Sequence, residues 1–150
     1  MNKLKIYLDV CAYCRPFDDL SQTKVKNEAD AKMYIQSLIR FNSLDLYSSF
    51  ILFHEINDNP IQSNKEHIVS LINEYSSVFI SEDRENDIRP LSGEIMKTGI
   101  KKKDATHLAC SIIAGCDYFI STDKRVLNYK TDGVKIVNPI KFVEIWREKA

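Results

Sequence analysis

The chain has no apolar stretch approaching the ~20 residues that a membrane-spanning helix needs, which excludes a helical membrane protein. It has no excess of either charge: Lys plus Arg and Asp plus Glu both number 21. The molecule as a whole therefore offers no electrostatic steering toward nucleic acid, and any polyanion site must be local. Repeats, low-complexity tracts and linker-like segments are all missing, so residues 1–150 read as a single domain long enough to bury a core. The N-terminus enters an apolar run with no signal-peptide pattern, and the expected location is cytoplasmic.

Cysteines are few. Cys11-x-x-Cys14 has the spacing of a redox pair or half a zinc site. Cys110 and Cys116 have five residues between them, an uncommon zinc spacing, and fall in an apolar helical stretch. With no sign of secretion, structural disulfides are not expected, and free, mostly buried thiols are the simpler reading.

What is present is an ordinary globular composition, 44% hydrophobic and 28% charged, carrying two acids in unusual places. Leu4-Lys5-Ile6-Tyr7-Leu8-Asp9-Val10 reads as a buried strand with a carboxylate in it. Asp117-Tyr118-Phe119-Ile120-Ser121-Thr122-Asp123 is a second strand-like run closing on an acid. A lone buried carboxylate is costly, so such an Asp has a partner, a metal ion or an exposed strand end. Strands that deliver acids at their C-terminal ends build a site at the carboxyl edge of an open α/β sheet.

The periodicity predicts a strand over 4–10, then a turn-rich loop through Arg15-Pro16-Phe17-Asp18-Asp19. A helix follows over 24–41 and a strand over 44–48, while 49–58 is ambiguous between strand and helix. Further helices are predicted over 64–75, over 84–98 with an irregularity near Pro90 and a stop at Gly99, and over 104–114 with a stop at Gly115. Strands are predicted over 78–81, 117–122 and 134–137, and Asn138-Pro139 starts a last helix with Phe142, Ile145 and Trp146 facing the core. Alternating strands and helices imply an α/β layer fold with a largely parallel sheet.

Four carboxylates stand out: Asp9, Glu55, Asp104 and Asp123. Each has a plain structural role available: Asp104 as a helix N-cap, Asp123 as the head of an Asx-turn, Glu55 as an exposed helix residue. Asp9 is the hardest to dismiss. Together they suit one divalent cation, since acids meeting at one edge repel unless a cation sits among them. A ligand set of oxygens, with neither His nor Cys, points to Mg²⁺ or Mn²⁺ rather than zinc. Lys97 and the run Lys101-Lys102-Lys103 adjoin Asp104 and are candidates, Lys102 and Lys103 foremost, to hold backbone phosphates. His107, one turn beyond Asp104, is either a hydrogen-bonded helix histidine or a phosphate or proton contact. Arg15 either clamps a phosphate or pairs with Asp18 or Asp19.

Over nearly its whole length the sequence resembles the PIN-domain family of metal-dependent nucleases, including the VapC-type toxin ribonucleases. Ile6-Tyr7-Leu8-Asp9 is similar to the family's first strand with its first acid, and Ser49-Phe50-Ile51-Leu52-Phe53-His54-Glu55 to the stretch bearing the second. Asp104-Ala105-Thr106-His107-Leu108-Ala109 resembles the helix start with the third acid, and Ser121-Thr122-Asp123 the hydroxyl-x-Asp motif with the fourth. Cys11 departs from the Asn, Ser or Thr often found two residues after the first acid.

The resemblance implies a three-layer α/β/α sandwich with five parallel strands in the order 3-2-1-4-5. It further implies RNA cleavage with Mg²⁺ or Mn²⁺, with Asp9, Asp104 and Asp123 as metal ligands and Glu55 ligating or orienting water. Ser121 would position a carboxylate or phosphate. An RNA substrate, an antitoxin protein and a second copy of the chain are the partners this reading brings. Two other readings remain: a catalytically silent PIN-like scaffold that binds RNA or protein, and a receiver-like phosphoacceptor. The second lacks the acid expected beside Asp9.

Overall fold

The structure, a computed structural model, describes residues 3–14, 23–57 and 62–149. Five strands, β1 (Leu4–Leu8), β2 (Leu44–Ser49), β3 (Ser76–Ile80), β4 (Tyr118–Ile120) and β5 (Lys135–Val137), form one sheet in the order β3-β2-β1-β4-β5. Every pairing is parallel, so the predicted order and orientation both hold. Neighbouring side chains on a strand point to opposite faces, and Ile6, Tyr7 and Leu8 are all at most 2% exposed. Both faces of β1 are therefore covered by helices, the arrangement a parallel sheet requires.

The helices are α1 (Val10–Cys14), α2 (Thr23–Arg40), α3 (Phe50–Asn57), α4 (Gln62–Tyr75), α5 (Glu85–Met96), α6 (Lys102–Ile113), α7 (Lys124–Leu127) and α8 (Pro139–Lys149). α2 packs against α8, and α5 against α6. Gly99 after α5 and Gly115 after α6 sit at φ of 100° and 77°, the left-handed region where glycine carries no Cβ penalty. Among the described residues no helix is long and apolar enough to cross a membrane.

Some expected boundaries move. The first strand stops at Leu8, not at residue 10, because Asp9 and Val10 open α1 and the Asp9 carbonyl accepts from Ala12 and Tyr13 N–H. The ambiguous stretch 49–58 is helical from Phe50. α6 starts at Lys102, so Asp104 is not its N-cap; Lys101 takes that position with extended backbone, and its carbonyl accepts from Ala105 N–H at 2.8 Å. A four-residue helix, α7, occupies part of the loop expected after the fourth strand. The predicted turn at 15–19, Arg15 included, lies outside the described residues.

Candidate functional site at the carboxyl edge of the sheet

Asp9 follows the last residue of β1, and Asp123 lies three residues beyond the end of β4, the neighbouring strand. Asp104 stands in the first turn of α6, the helix preceding β4. Chain direction alone thus gathers three acids at one edge, because parallel strands all present their C-terminal ends on the same side.

Asp9 is 3% exposed. Its Oδ1 accepts from Ala12 N–H at 2.9 Å, which caps α1, and the carboxylate also bonds the Ser121 hydroxyl. Burial nevertheless raises its pKa to about 6, against the pull of those two bonds and of nearby His107, and the charge of Asp104 adds to the rise. Ser121, fully buried at the end of β4, also accepts from Asp123 N–H at 3.0 Å, so one hydroxyl ties Asp9 to the Asp123 loop. Asp123 in turn caps α7 through Arg125 N–H at 2.8 Å. Asp104 has its pKa raised by partial burial, then by the charges of Asp123 and Glu55. The acids therefore share one electrostatic neighbourhood. The Tyr13 hydroxyl, without a hydrogen-bond partner among the described residues, has its pKa raised well above the usual value by burial first and then by the charge of Asp9.

Glu55 is held by a chain of buried groups. Its Oε1 meets His107 Nε2, His107 Nδ1 lies 2.6 Å from the Tyr7 hydroxyl, and that hydroxyl lies 2.6 Å from Ser49 Oγ. A carboxylate only accepts, so Nε2 carries a proton and donates to Glu55, while Nδ1 and the two hydroxyls satisfy one another along the rest of the chain. Burial, with the Cys110 thiol next, raises the Tyr7 pKa well above its usual value, so the phenol remains a donor. The sheet register supports the chain: Tyr7 pairs with Tyr47 on β2, which places Ser49, two residues on, toward the same face. On β4, Phe119 stacks on Tyr7 with ring centroids 5.4 Å apart.

His107 is 1% exposed and bonded through both nitrogens, so the hydrogen-bonded alternative describes it. Glu55, at 19% side-chain exposure, is not the exposed helix residue that its surroundings in the sequence allowed. Lys102 and Lys103 are exposed on the first turn of α6. Cys110 and Cys116 are buried free thiols whose pKa values are pushed up by burial to about 11 and about 12, which keeps them protonated. The sequence reading gave Tyr7 no role and carried Ser49 only as the first residue of the motif that ends in Glu55; the only signal of Tyr7 is a hydroxyl on a strand otherwise built largely of core residues.

The donor chemistry fits a hard divalent cation: Asp9, Asp104 and Asp123 offer carboxylate oxygens at one edge, with two of them destabilised as anions by burial and mutual charge. In this geometry, among the described residues, no three His, Cys, Asp or Glu side chains draw together closely enough to form a ligand set. The fit is thus one of charge and donor type.

No family model and no curated protein sequence matches the chain. Solved structures do. The chain is similar to VapBC2 from Rickettsia felis, in a crystal structure bound to a DNA fragment from their promoter, with TM-score 0.56 and 14% identity. The likeness covers 90% of this chain and 98% of that one, and at this identity it shows the fold: PIN-like, with the strand order described above.

Proposed function

We propose that the chain is a metal-dependent endoribonuclease that hydrolyses RNA phosphodiester bonds with Mg²⁺ or Mn²⁺ and serves as the toxin of an antitoxin pair. The observation that carries this reading is Asp9, a carboxylate 3% exposed at the end of the central strand, inside the electrostatic reach of Asp104. A fold gains nothing by burying one acid against another; a site for a cation does.

Asp9, Asp104 and Asp123 would hold the metal, and Glu55 would ligate it or orient water. When bound, the metal supplies a more acidic water and neutralises charge on the phosphodiester. The protein's own groups fix the geometry. Ser121 holds the Asp9 carboxylate, Ala12 N–H fixes one of its oxygens, and the Tyr7–His107 pair sets the orientation of Glu55. The antitoxin, a second copy of the chain and a cytoplasmic location belong to the same proposal, supported by the fold shared with VapBC2.

Cleavage of labelled RNA tests it. Activity should appear with Mn²⁺ or Mg²⁺, vanish in EDTA and not return with Zn²⁺; cleavage indifferent to EDTA would sink the reading. One observation favours a silent scaffold instead: the Glu55 carboxylate is already bonded to His107. Calorimetric titration with Mn²⁺ separates the two, since a scaffold whose acids are internally satisfied would take up no metal.

A further inference from the structure

Beside the acids, α3, α5 and α6 enclose a cleft of about 510 Å³, within the roughly 300–1,000 Å³ of sites for small ligands. Its floor is apolar: Ile51 and Ile88 are buried and Phe50 is half-buried. His54 stands edge-on to Phe50, ring centroids 5.8 Å apart at 73°, so the two rings form a corner. Arg89 and Lys102 are exposed on the rim. Glu85 is the one acid lining the cleft among the described residues, and it is bonded to Arg89 at 3.0 Å. That bond uses a single guanidinium nitrogen and leaves the other donors of the fork for another acceptor. The lining is therefore locally cationic on a chain of zero net charge.

We propose that this cleft is a nucleotide subsite, seating one base and its phosphate from a single-stranded RNA next to the acidic centre. The inference rests on the nuclease reading and deepens it. Continuity links the two places. α3 carries Phe50 and His54 toward the cleft and Glu55 toward the acids; α6 carries Lys102 and Thr106 toward the cleft and Asp104 beside them. Successive helical residues lie about 100° apart, so cleft and acids occupy neighbouring faces of the same two helices. A base presents a flat π-face that stacks on an aromatic ring whatever its identity, while its phosphate takes a Lys or Arg. Thr106 Oγ1 donates to the Lys102 carbonyl at 2.8 Å and accepts from Ser92 Oγ at 3.3 Å within the same lining, so the remaining hydroxyl lone pairs offer a base edge acceptors.

The test is fluorescence anisotropy of a short labelled oligouridine, in EDTA so that no cleavage occurs, on the full chain. Phe50→Leu, which keeps apolar bulk and loses the ring, should weaken binding about tenfold, and Phe50→Tyr should retain it. Lys102→Ala, at an exposed position, should lower the slope of log Kd against log salt by about 0.7. Unchanged affinity in Phe50→Leu together with an unchanged slope in Lys102→Ala would overturn the subsite, even if Mn²⁺-dependent cleavage is intact. The expected binding losses in a chain that cleaves no RNA would support the subsite while removing the nuclease reading. Sedimentation showing a dimer that Phe50→Leu turns into monomer would assign the cleft to a second copy and overturn the proposal.

Discussion

Asp9 and Asp117 stand at opposite ends of the same pair of strands. Asp117 precedes β4: its N–H donates to Lys5 carbonyl at 2.8 Å and its Oδ2 accepts from Lys5 N–H at 2.8 Å, finishing the ladder where β1 begins. Asp9 follows β1: its N–H donates to Ile120 carbonyl at 3.3 Å and its Oδ1 accepts from Ala12 N–H at 2.9 Å. The two do similar backbone work. Asp117 does it exposed to water, whereas Asp9 does it 3% exposed and within reach of Asp104. An acid needed only to close a strand end can stay in solvent, so the burial of Asp9 asks for a further reason. A cation supplies one.

The largest contrast should appear in activity. Asp9→Asn keeps size and an oxygen acceptor for Ala12 N–H but removes the charge. On the proposed function it should lower RNA cleavage by about a thousandfold, the rate equivalent of several kcal/mol of metal-mediated charge stabilisation. Asp117→Asn should cleave as wild type does. Equal rates in Asp9→Asn and wild type would leave Asp9 a capping residue like its counterpart.

Next comes pH. The folded Asp9 has its pKa raised by burial to about 6, above the ordinary carboxylate value near 4, so the folded state binds the proton more tightly than the unfolded one. Metal-free protein therefore loses stability as pH rises from about 4 to about 6, and stays at the lower level above that. Two units correspond to about 3 kcal/mol. Denaturant melts of the metal-free protein should show this gain on acidification, and Asp9→Asn should flatten it while melting higher than wild type at neutral pH. Mn²⁺ should raise the wild-type melting temperature by binding the folded state alone, and should raise that of the Asn variant less. A profile indifferent to the Asp9 substitution would show that this buried charge is compensated within the protein.

How much of this was legible in the sequence depended on whether the signal was local. The strand-then-Asp runs at both ends of the chain were, because a carboxylate at the end of a β-rich stretch stands out on its own. So were the parallel sheet, from alternating elements, and the glycine stops at Gly99 and Gly115. The start of α6 was not. Asp104 has the side chain of an N-cap, yet the helix begins two residues earlier, at Lys102, after Lys101, whose backbone alone forms the cap. The short helix at Val10–Cys14 escaped for the opposite reason, its apolar residues being as suited to a strand as to a helix. The Tyr7–His107 bond spans 100 positions, and a tyrosine between Ile6 and Leu8 reads as core until its hydroxyl partner is seen. Such a contact is created by topology.

That buried chain gives the third prediction. Tyr7→Phe keeps the stack on Phe119 but deletes a hydroxyl bonded to both Ser49 and His107. Stability should fall by about 1–3 kcal/mol, since His107 Nδ1 is left without a partner in the dry interior, while Ser49 keeps its bond to the Cys110 thiol. With His107 no longer fixed from behind, Glu55 should be less well oriented, and RNA cleavage should fall by less than in Asp9→Asn. A Tyr7→Phe protein as stable and as active as wild type would show that His107 holds Glu55 unaided.

The smallest effect belongs to the other end of the strands. Asp117→Ala removes a carboxylate oxygen that accepts from Lys5 N–H, and that amide, at an exposed strand end, can turn to water instead. The cost should be about 1 kcal/mol, the net contribution of one ordinary hydrogen bond, which for a chain of this size lowers the melting temperature by about 2–4 °C. Its Mn²⁺-induced rise in melting temperature should equal that of wild type, because the sheet's length separates residue 117 from the acids at the carboxyl edge. An altered Mn²⁺ response in Asp117→Ala would mean that the two ends of the sheet are coupled. The burial of Asp9 would then no longer serve as a local marker of the cation site.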